Sequence, residues 1–317
     1  FDKYINATRS NDDTLFMPIN GTKFRKANYA WNTKGFRHVK QCLVPTLLRS
    51  YHSRRLASQG AARQRALLKF ADELANSYSQ NLAYDITHIT VAQNLLPFLW
   101  RSGHLGGRTF DVLMTALPMA ELQRRLDYAF ELHPESKTLA DFRTDEWMID
   151  AESEALSQVR KIITPHTDIA SLFPDKAVLL DWAIPSHQAI KTVATSPPKI
   201  VFPASTLGRK GAYELREAIR GLDVQLVIMG PQLETESFWN GFNVVRRTDS
   251  DDWLSDASAV VLPAFIEHRP RRLLKAIACG VPVIASEACG LGNVEGVTIV
   301  ESGDVAMLRA AIKGLIK

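Results

Sequence analysis

Two charged loops in this 317-residue sequence bring together residue types that can hold an anionic ligand. Gly208-Arg209-Lys210-Gly211 pairs two cations with two glycines, a composition suited to a diphosphate. Glu267-His268-Arg269 sets a carboxylate beside a ring nitrogen and a guanidinium, on a loop that follows a strand end. Lys275 follows Glu267 by eight positions, with Arg271 and Arg272 just before it, and the three make a local positive field. Single residues add weaker signals: His88 and His166 as hydrogen-bonding or proton-handling rings, Gly230 and Gly290 as turn residues after apolar runs, and Cys289 with Gly292 beside the latter.

The elements that must position these residues follow from periodicity. Ala259 to Leu262 is a short apolar run that breaks at Pro263. After the charged loop, Leu273, Leu274, Ile277 and Ala278 share one helical face, Gly280 ends the helix, and Val281 to Ala285 is a second apolar run. Strand, loop, helix and strand in that order make a right-handed βαβ unit. Loops at the carboxyl ends of its strands are where open α/β sheets bind ligands. From 199 onwards the alternation is regular, with strands expected at 199–203, 223–229, 242–246, 258–262, 281–285 and 296–300. Helices are expected near 211–221, 233–239, 250–256, 269–279 and 304–317. The earlier part reads as a strand at 15–18, helices at 35–49 and 54–79, and strands at 84–91 and 109–115. Helices at 92–100, 119–132 and 144–160, strands at 161–164 and 176–182 and a turn at 167–173 complete it. Pro185, Pro197 and Pro198 mark 184–198 as a linker between domains 1–183 and 199–317. The fold class is therefore α/β, with two Rossmann-like domains.

Composition limits the partners. Hydrophobic content of 46% and charged content of 23% are those of a globular chain. No apolar run approaches the roughly 18 residues that span a bilayer. Three cysteines (Cys42, Cys279, Cys289) suit neither a zinc site nor a disulfide framework, so a reduced, cytosolic setting is expected. Residues 1–80 hold 14 Lys and Arg against 5 Asp and Glu, a surplus of 9 in a chain whose net charge is +4. Such a region can face anionic lipid, an acidic saccharide or nucleic acid, or be a solvated surface.

Ala276 to Ala285 (AIACGVPVIA), preceded by Glu267, resembles the nucleotide-sugar end of glycosyltransferase family four, where a Glu-x7-Glu pattern precedes such a run. The second Glu position falls on Lys275. The resemblance implies a GT-B fold with the ligand in the cleft between two domains. In it, Glu267 binds donor-sugar hydroxyls, and the loop with Gly208, Arg209, Lys210 and Gly211 holds the donor diphosphate, an Arg at 209 replacing the family's earlier one at the position of Ser205. Gly230 and Gly290 match the family's turns near the donor, and His268, Arg269 and Lys275 fall on the donor side. Asp85 to His88 is similar to the family's D-x-x-H strand, which would place His88 as a catalytic residue facing the cleft. His166 stands where the family commonly has Ser, as a phosphate donor or a cap for its turn. Lys275 leaves three options: ribose held by another group such as Glu287, a donor with extra negative charge, or a site without activity.

What the resemblance implies is a retaining glycosyltransferase that moves a sugar from a nucleotide-sugar donor to a saccharide or glycolipid acceptor. It would act without a metal or other cofactor and without nucleic acid as partner. The basic surplus of residues 1–80 allows, apart from the resemblance, a peripheral contact with an anionic inner membrane face. The alternative is a non-catalytic GT-B module that binds nucleotide or saccharide or partners an active homologue; an epimerase or phosphorylase on this fold stands third.

Overall fold

The computed structural model describes residues 1–26, 29–55, 61–140, 143–186, 196–247 and 253–316. Its elements, in chain order, begin with α1 (Asp2–Thr8), β1 (Thr14–Met17), β2 (His38–Gln41), α2 (Leu43–Arg55) and α3 (Ala61–Ser79). Next come β3 (His88–Ala92), α4 (Leu96–Arg101), β4 (Thr109–Leu113), α5 (Met119–Leu132), α6 (Glu146–Gln158), β5 (Lys161–Thr164), α7 (Thr167–Ser171) and β6 (Ala177–Leu179). The last stretch holds β7 (Lys199–Phe202), α8 (Ala212–Ala218), β8 (Gln225–Ile228), β9 (Val244–Arg246), β10 (Ala259–Leu262), α9 (Arg271–Ala278), β11 (Val283–Ser286), β12 (Val297–Val300) and α10 (Val305–Leu315).

These elements group into two compact units, Phe1–Met114 with Thr144–Ile163, and Thr115–Arg143 with Thr164–Lys317. The division is not a single cut: the segments carrying α5, α7 and β6 group with the C-terminal half. Of the expected linker 184–198, residues 187–195 lie outside the described residues.

In the first unit β3 pairs parallel with β4, and β4 with β5. β1 and β2 form a separate parallel pair. The expected helix at 35–49 is split: 38–41 is a short, fully exposed strand and the helix starts only at Leu43. The strand expected at 84–91 starts at His88, after a turn.

The second unit contains a six-stranded parallel sheet in the order β12-β11-β10-β7-β8-β9. Counted from β7, that is the 3-2-1-4-5-6 order of a doubly wound dinucleotide-binding sheet. Ile200, Val201, Leu226, Val260, Val261 and Ile284 are buried, as expected for strands covered on both faces. β7 and β10 are neighbours, with Ala259 opposite Ile200 and Val260 opposite Val201. Chain order reverses between them, so the connections after β7 and β10 leave in opposite directions and open a crevice at their carboxyl ends. One expected helix is absent: 233–239 leads into turns at 236–241, with Phe238 and Trp239 buried as plugs of the core. Of the helix expected near 250–256, residues 253–256 form turns and 250–252 lie outside the described residues. Among the described residues no helix is long and apolar enough to cross a membrane.

Candidate functional site

The two charged loops meet at this switch point. After β7 the chain runs through Pro203 to Leu207 into a 3-10 turn, Gly208–Lys210, and enters α8 through Gly211. Gly211 has φ +74°, and a Cβ there would lie 2.0 Å from the Pro263 carbonyl oxygen. Left-handed backbone and close approach together require glycine. The loop after β10 lies against this turn: Phe265 and Ile266 N–H groups both donate to the Arg209 carbonyl, at 3.1 and 3.3 Å.

Lys210 joins the loops through its side chain. Its Nζ donates to the Ile266 carbonyl and to Glu267 Oε2, each at 2.8 Å. Glu267 Oε1 accepts the Arg269 N–H at 2.7 Å. Burial alone would raise the Glu267 carboxyl, but the Lys210 charge and hydrogen bond, with the Arg269 N–H, hold it down at about 2. Burial pulls Lys210 below its ordinary value while Glu267 pulls it back up. Burial also lowers Arg209, again opposed by Glu267. An ammonium has three N–H donors and Lys210 uses two on these partners, which leaves one. A carboxylate offers about four acceptor positions, and Glu267 gives two to these partners, which leaves about two.

Two histidines frame the pair. His166 caps α7: its Nδ1 accepts the Ile169 N–H at 3.3 Å, so its Nε2 carries the proton given to the Glu267 carbonyl at 2.9 Å. Burial lowers its pKa, although the bond to Glu267 opposes this. His268 Nε2 accepts the Leu117 N–H at 3.3 Å, and desolvation, with Lys210 nearby, pushes its pKa down to about 3. Both rings are therefore neutral at pH 7, each with a tautomer fixed by its partner.

Other expected site residues have different work. Gly208 N–H donates to Thr138 Oγ1 and to Glu234 Oε1, at 3.0 and 3.1 Å, so this N–H is committed within the protein and does not face a diphosphate. The resemblance puts Gly230 and Gly290 in turns near the donor; in the structure they let protein approach protein. A Cβ on Gly230 would lie 2.7 Å from Ser205 Oγ, and one on Gly290 would lie 2.2 Å from His166 Nδ1. Arg272 is not part of an open positive field: its Nη1 donates to the Pro203 and Met229 carbonyls at 2.8 and 2.9 Å, tying α9 to the ends of β7 and β8. Arg269 is exposed and Lys275 half-buried on α9. Glu287, the alternative ribose acceptor, takes the Ser302 N–H on both oxygens at 3.2 and 3.0 Å. Burial raises the Cys289 thiol to about 12, so it is unreactive.

His88 is not with this group. It is the first residue of β3, at the amino end of the first unit's sheet, whereas ligand crevices open at carboxyl ends. Its Nδ1 bonds Thr109 Oγ1 at 2.8 Å and its Nε2 lies 3.3 Å from Asp111, which Arg160 grips with two bonds of 2.9 and 2.7 Å. The expected placement at a ligand-facing strand end is corrected: D-x-x-H here ends on a strand's start, in a structural ion-pair cluster.

The sequence reading missed Glu234. Its carboxylate accepts five hydrogen bonds, from Ser136 Oγ (2.7 Å), Thr138 Oγ1 (2.6 Å), Lys137 N–H (3.1 Å), Gly208 N–H (3.1 Å) and Tyr213 Oη (3.2 Å). Burial and Glu234 together raise the Tyr213 hydroxyl. Arg125 was missed as well; it grips Asp168 with two bonds of 2.7 and 2.9 Å and Glu121 with one of 2.7 Å, joining α5 to α7.

Residues 197–317 match the family model described as Glycosyl transferases group 1. Sucrose-phosphate synthase from Thermosynechococcus elongatus is similar in structure, with a TM-score of 0.52 at 17% identity over 78% of this chain and 68% of that one. The lipopolysaccharide outer core galactosyltransferase WaaB gives 0.53 at 11% identity, over 96% and 91%. The fold of this chain is GT-B-like. Anabaena HepE, solved in complex with UDP, is a third such neighbour, with a TM-score of 0.50 at 14% identity, over 76% and 72%. No curated protein sequence matches the chain. The two Rossmann-like domains expected from the sequence are thus the architecture of this GT-B-like chain, and the family match falls on the half that carries both charged loops.

Proposed function

We propose that this chain is a retaining glycosyltransferase that moves a sugar from a nucleotide-sugar donor to a saccharide or glycolipid acceptor. One observation carries this reading: Lys210 and Glu267 meet at the carboxyl ends of β7 and β10, where the strand order reverses. There the remaining N–H of Lys210, with Arg209, meets the leaving diphosphate and stabilises the charge that develops on it. The free acceptor positions of Glu267 take donor-sugar hydroxyls. Cations serve the leaving group in this scheme, so transfer is expected to persist in EDTA. That HepE was solved with UDP supports a nucleotide diphosphate as the ligand class.

Lys275 favours a second reading, a non-catalytic GT-B module, because a Lys has only donors where the family pattern has an acceptor for a ribose diol. Nucleotide diphosphates should raise the unfolding temperature, since binding the native state alone stabilises it. Arg209→Ala with Lys210→Ala should remove that shift; an undiminished shift refutes the phosphate assignment. Transfer or donor hydrolysis across a panel of nucleotide sugars separates the two readings: protection without turnover on any donor would leave the non-catalytic module.

A further inference from the structure

We propose that the outer face of α2 is a docking surface for an anionic lipid bilayer. Leu43, Val44, Leu47, Leu48 and Tyr51 recur at i, i+1, i+4, i+5 and i+8, so they share one side of the helix. All five are exposed, Val44 to 68% and Leu47 to 58%. The opposite side is the anchored one. Thr46 is buried, and its hydroxyl hydrogen-bonds the Pro18 and Cys42 carbonyls at 3.1 and 2.6 Å. Cys42, at the helix start, bonds Ser77 of α3 through its Sγ at 2.9 Å. The helix thus turns a contiguous apolar stripe outward, a feature that a chain surrounded only by water has reason to avoid.

Charge identifies the occupant. Between Thr14 and Ala71 the sequence holds 12 Lys and Arg and no Asp or Glu. Lys34, Arg37 and Lys40 are exposed on the segment leading into α2, and Arg65 and Lys69 on α3, which packs against it. Val39, next to Lys40, adds to the exposed apolar surface. Apolar side chains beside a run of cations match the two layers of an anionic membrane surface, acyl boundary and phosphate headgroup. An acidic protein or polysaccharide would use the cations and leave the leucines in water; a second copy would use the leucines and set cation against cation. This surface deepens the acceptor side of the proposed function. Its readout is vesicle binding rather than transfer, so the two can fail separately.

The test is flotation of the full chain with vesicles of phosphatidylcholine alone or with about one-third phosphatidylglycerol. Binding is expected only to the anionic vesicles and should fall about fivefold or more as salt rises from about 0.05 to about 0.5 M. Leu47→Glu with Leu48→Glu keeps good helix formers on an exposed face, and should reduce binding about tenfold without changing the unfolding temperature. Lys34→Glu with Lys40→Glu should weaken binding and flatten its salt dependence. Three results overturn the proposal: no binding to anionic vesicles at low salt, equal binding to neutral ones, or a leucine pair that binds like the parent. A concentration-dependent dimer that the leucine pair abolishes, without vesicle binding, assigns the stripe to a second copy instead.

Discussion

Lys210–Glu267 and Arg160–Asp111 are both ion pairs at one end of a parallel sheet, with N–O distances of 2.8 and 2.7 Å. The first lies at carboxyl ends, at the switch point of the six-stranded sheet. The second lies nearer amino ends, where Asp111, the middle residue of β4, is level with Lys161 at the start of β5 and Arg160 directly precedes that strand. Solvent reaches the two cations differently, with the Lys210 side chain 13% exposed and that of Arg160 54%, although Asp111 at 6% is more buried than Glu267 at 15%. Burial also pushes on both carboxyls, and in each the cation wins, so both stay below the usual carboxylate range. Charge pairing alone therefore does not mark a site. What separates the pairs is strand polarity, together with the donors and acceptors each has left over.

The change that should separate the two pairs most is Lys210→Met. It leaves Glu267 buried without its cation, which costs about 3–5 kcal/mol. Urea unfolding should show that loss, whereas Arg160→Met strands Asp111 in a buried place but leaves it beside His88 at 3.3 Å, so it should cost less, about 1–3 kcal/mol. Equal losses would mean that these differences do not distinguish them.

Acid sharpens the same contrast. Glu267 has its folded pKa depressed from 4.5 to about 2. Its stabilisation is thus complete above about pH 4.5 and is lost as pH falls through 2, on the order of 3 kcal/mol in all. His268 is lowered from 6.5 to about 3. The unfolded chain takes up that proton first, so stability already falls as pH drops below 6.5. Urea midpoints across pH 7 to 2 should show both arms. His268→Gln should flatten the upper one and Glu267→Gln the lower; a profile that neither variant alters refutes these assignments.

Glu267→Gln tests chemistry as well as folding, because it also leaves the Lys210 ammonium without its anion. It keeps size and loses charge, and a charged hydrogen bond is worth about 1.5–3 kcal/mol, so transfer should drop about 10- to 150-fold. Lys275→Glu has an effect whose sign is informative. A gain in nucleotide affinity would show a missing ribose acceptor restored, a loss would show a cation that meets an anionic donor, and we expect the loss. The smallest effect belongs to His88→Gln: nucleotide affinity should stay within about twofold and stability within about 1 kcal/mol. A tenfold loss of affinity there would move the site towards the first unit.

The C-terminal sheet was legible because buried parallel strands are continuous apolar runs, and each of its six strands was read to within two residues at either end. The loops were legible because glycines and cations between such runs are conspicuous. What those glycines do was not: Gly211, Gly230 and Gly290 give room to Pro263, Ser205 and His166, which are 52, 25 and 124 positions away. Glu234 was invisible for the same reason, as its hydroxyl partners lie 98 and 96 positions upstream. His88 shows the limit of a motif: the spacing was present, but the strand began on it instead of ending near it. β2 escaped because four exposed residues leave no hydrophobic pattern to read.

The five donors around Glu234 also bear on how this protein can change. Three of them come from the segment 136–138, which in sequence reads as an ordinary polar turn between helices. Turns of that kind usually drift freely, taking insertions and swapping one small polar residue for another. Here a hydroxyl lost at Ser136 or Thr138 would leave a carboxylate short of a partner in a place water does not reach, and the Gly208 turn would lose an anchor with it. Among homologues, this segment should therefore vary as slowly as the strands do, and a change at Glu234 should arrive together with changes at 136 and 138.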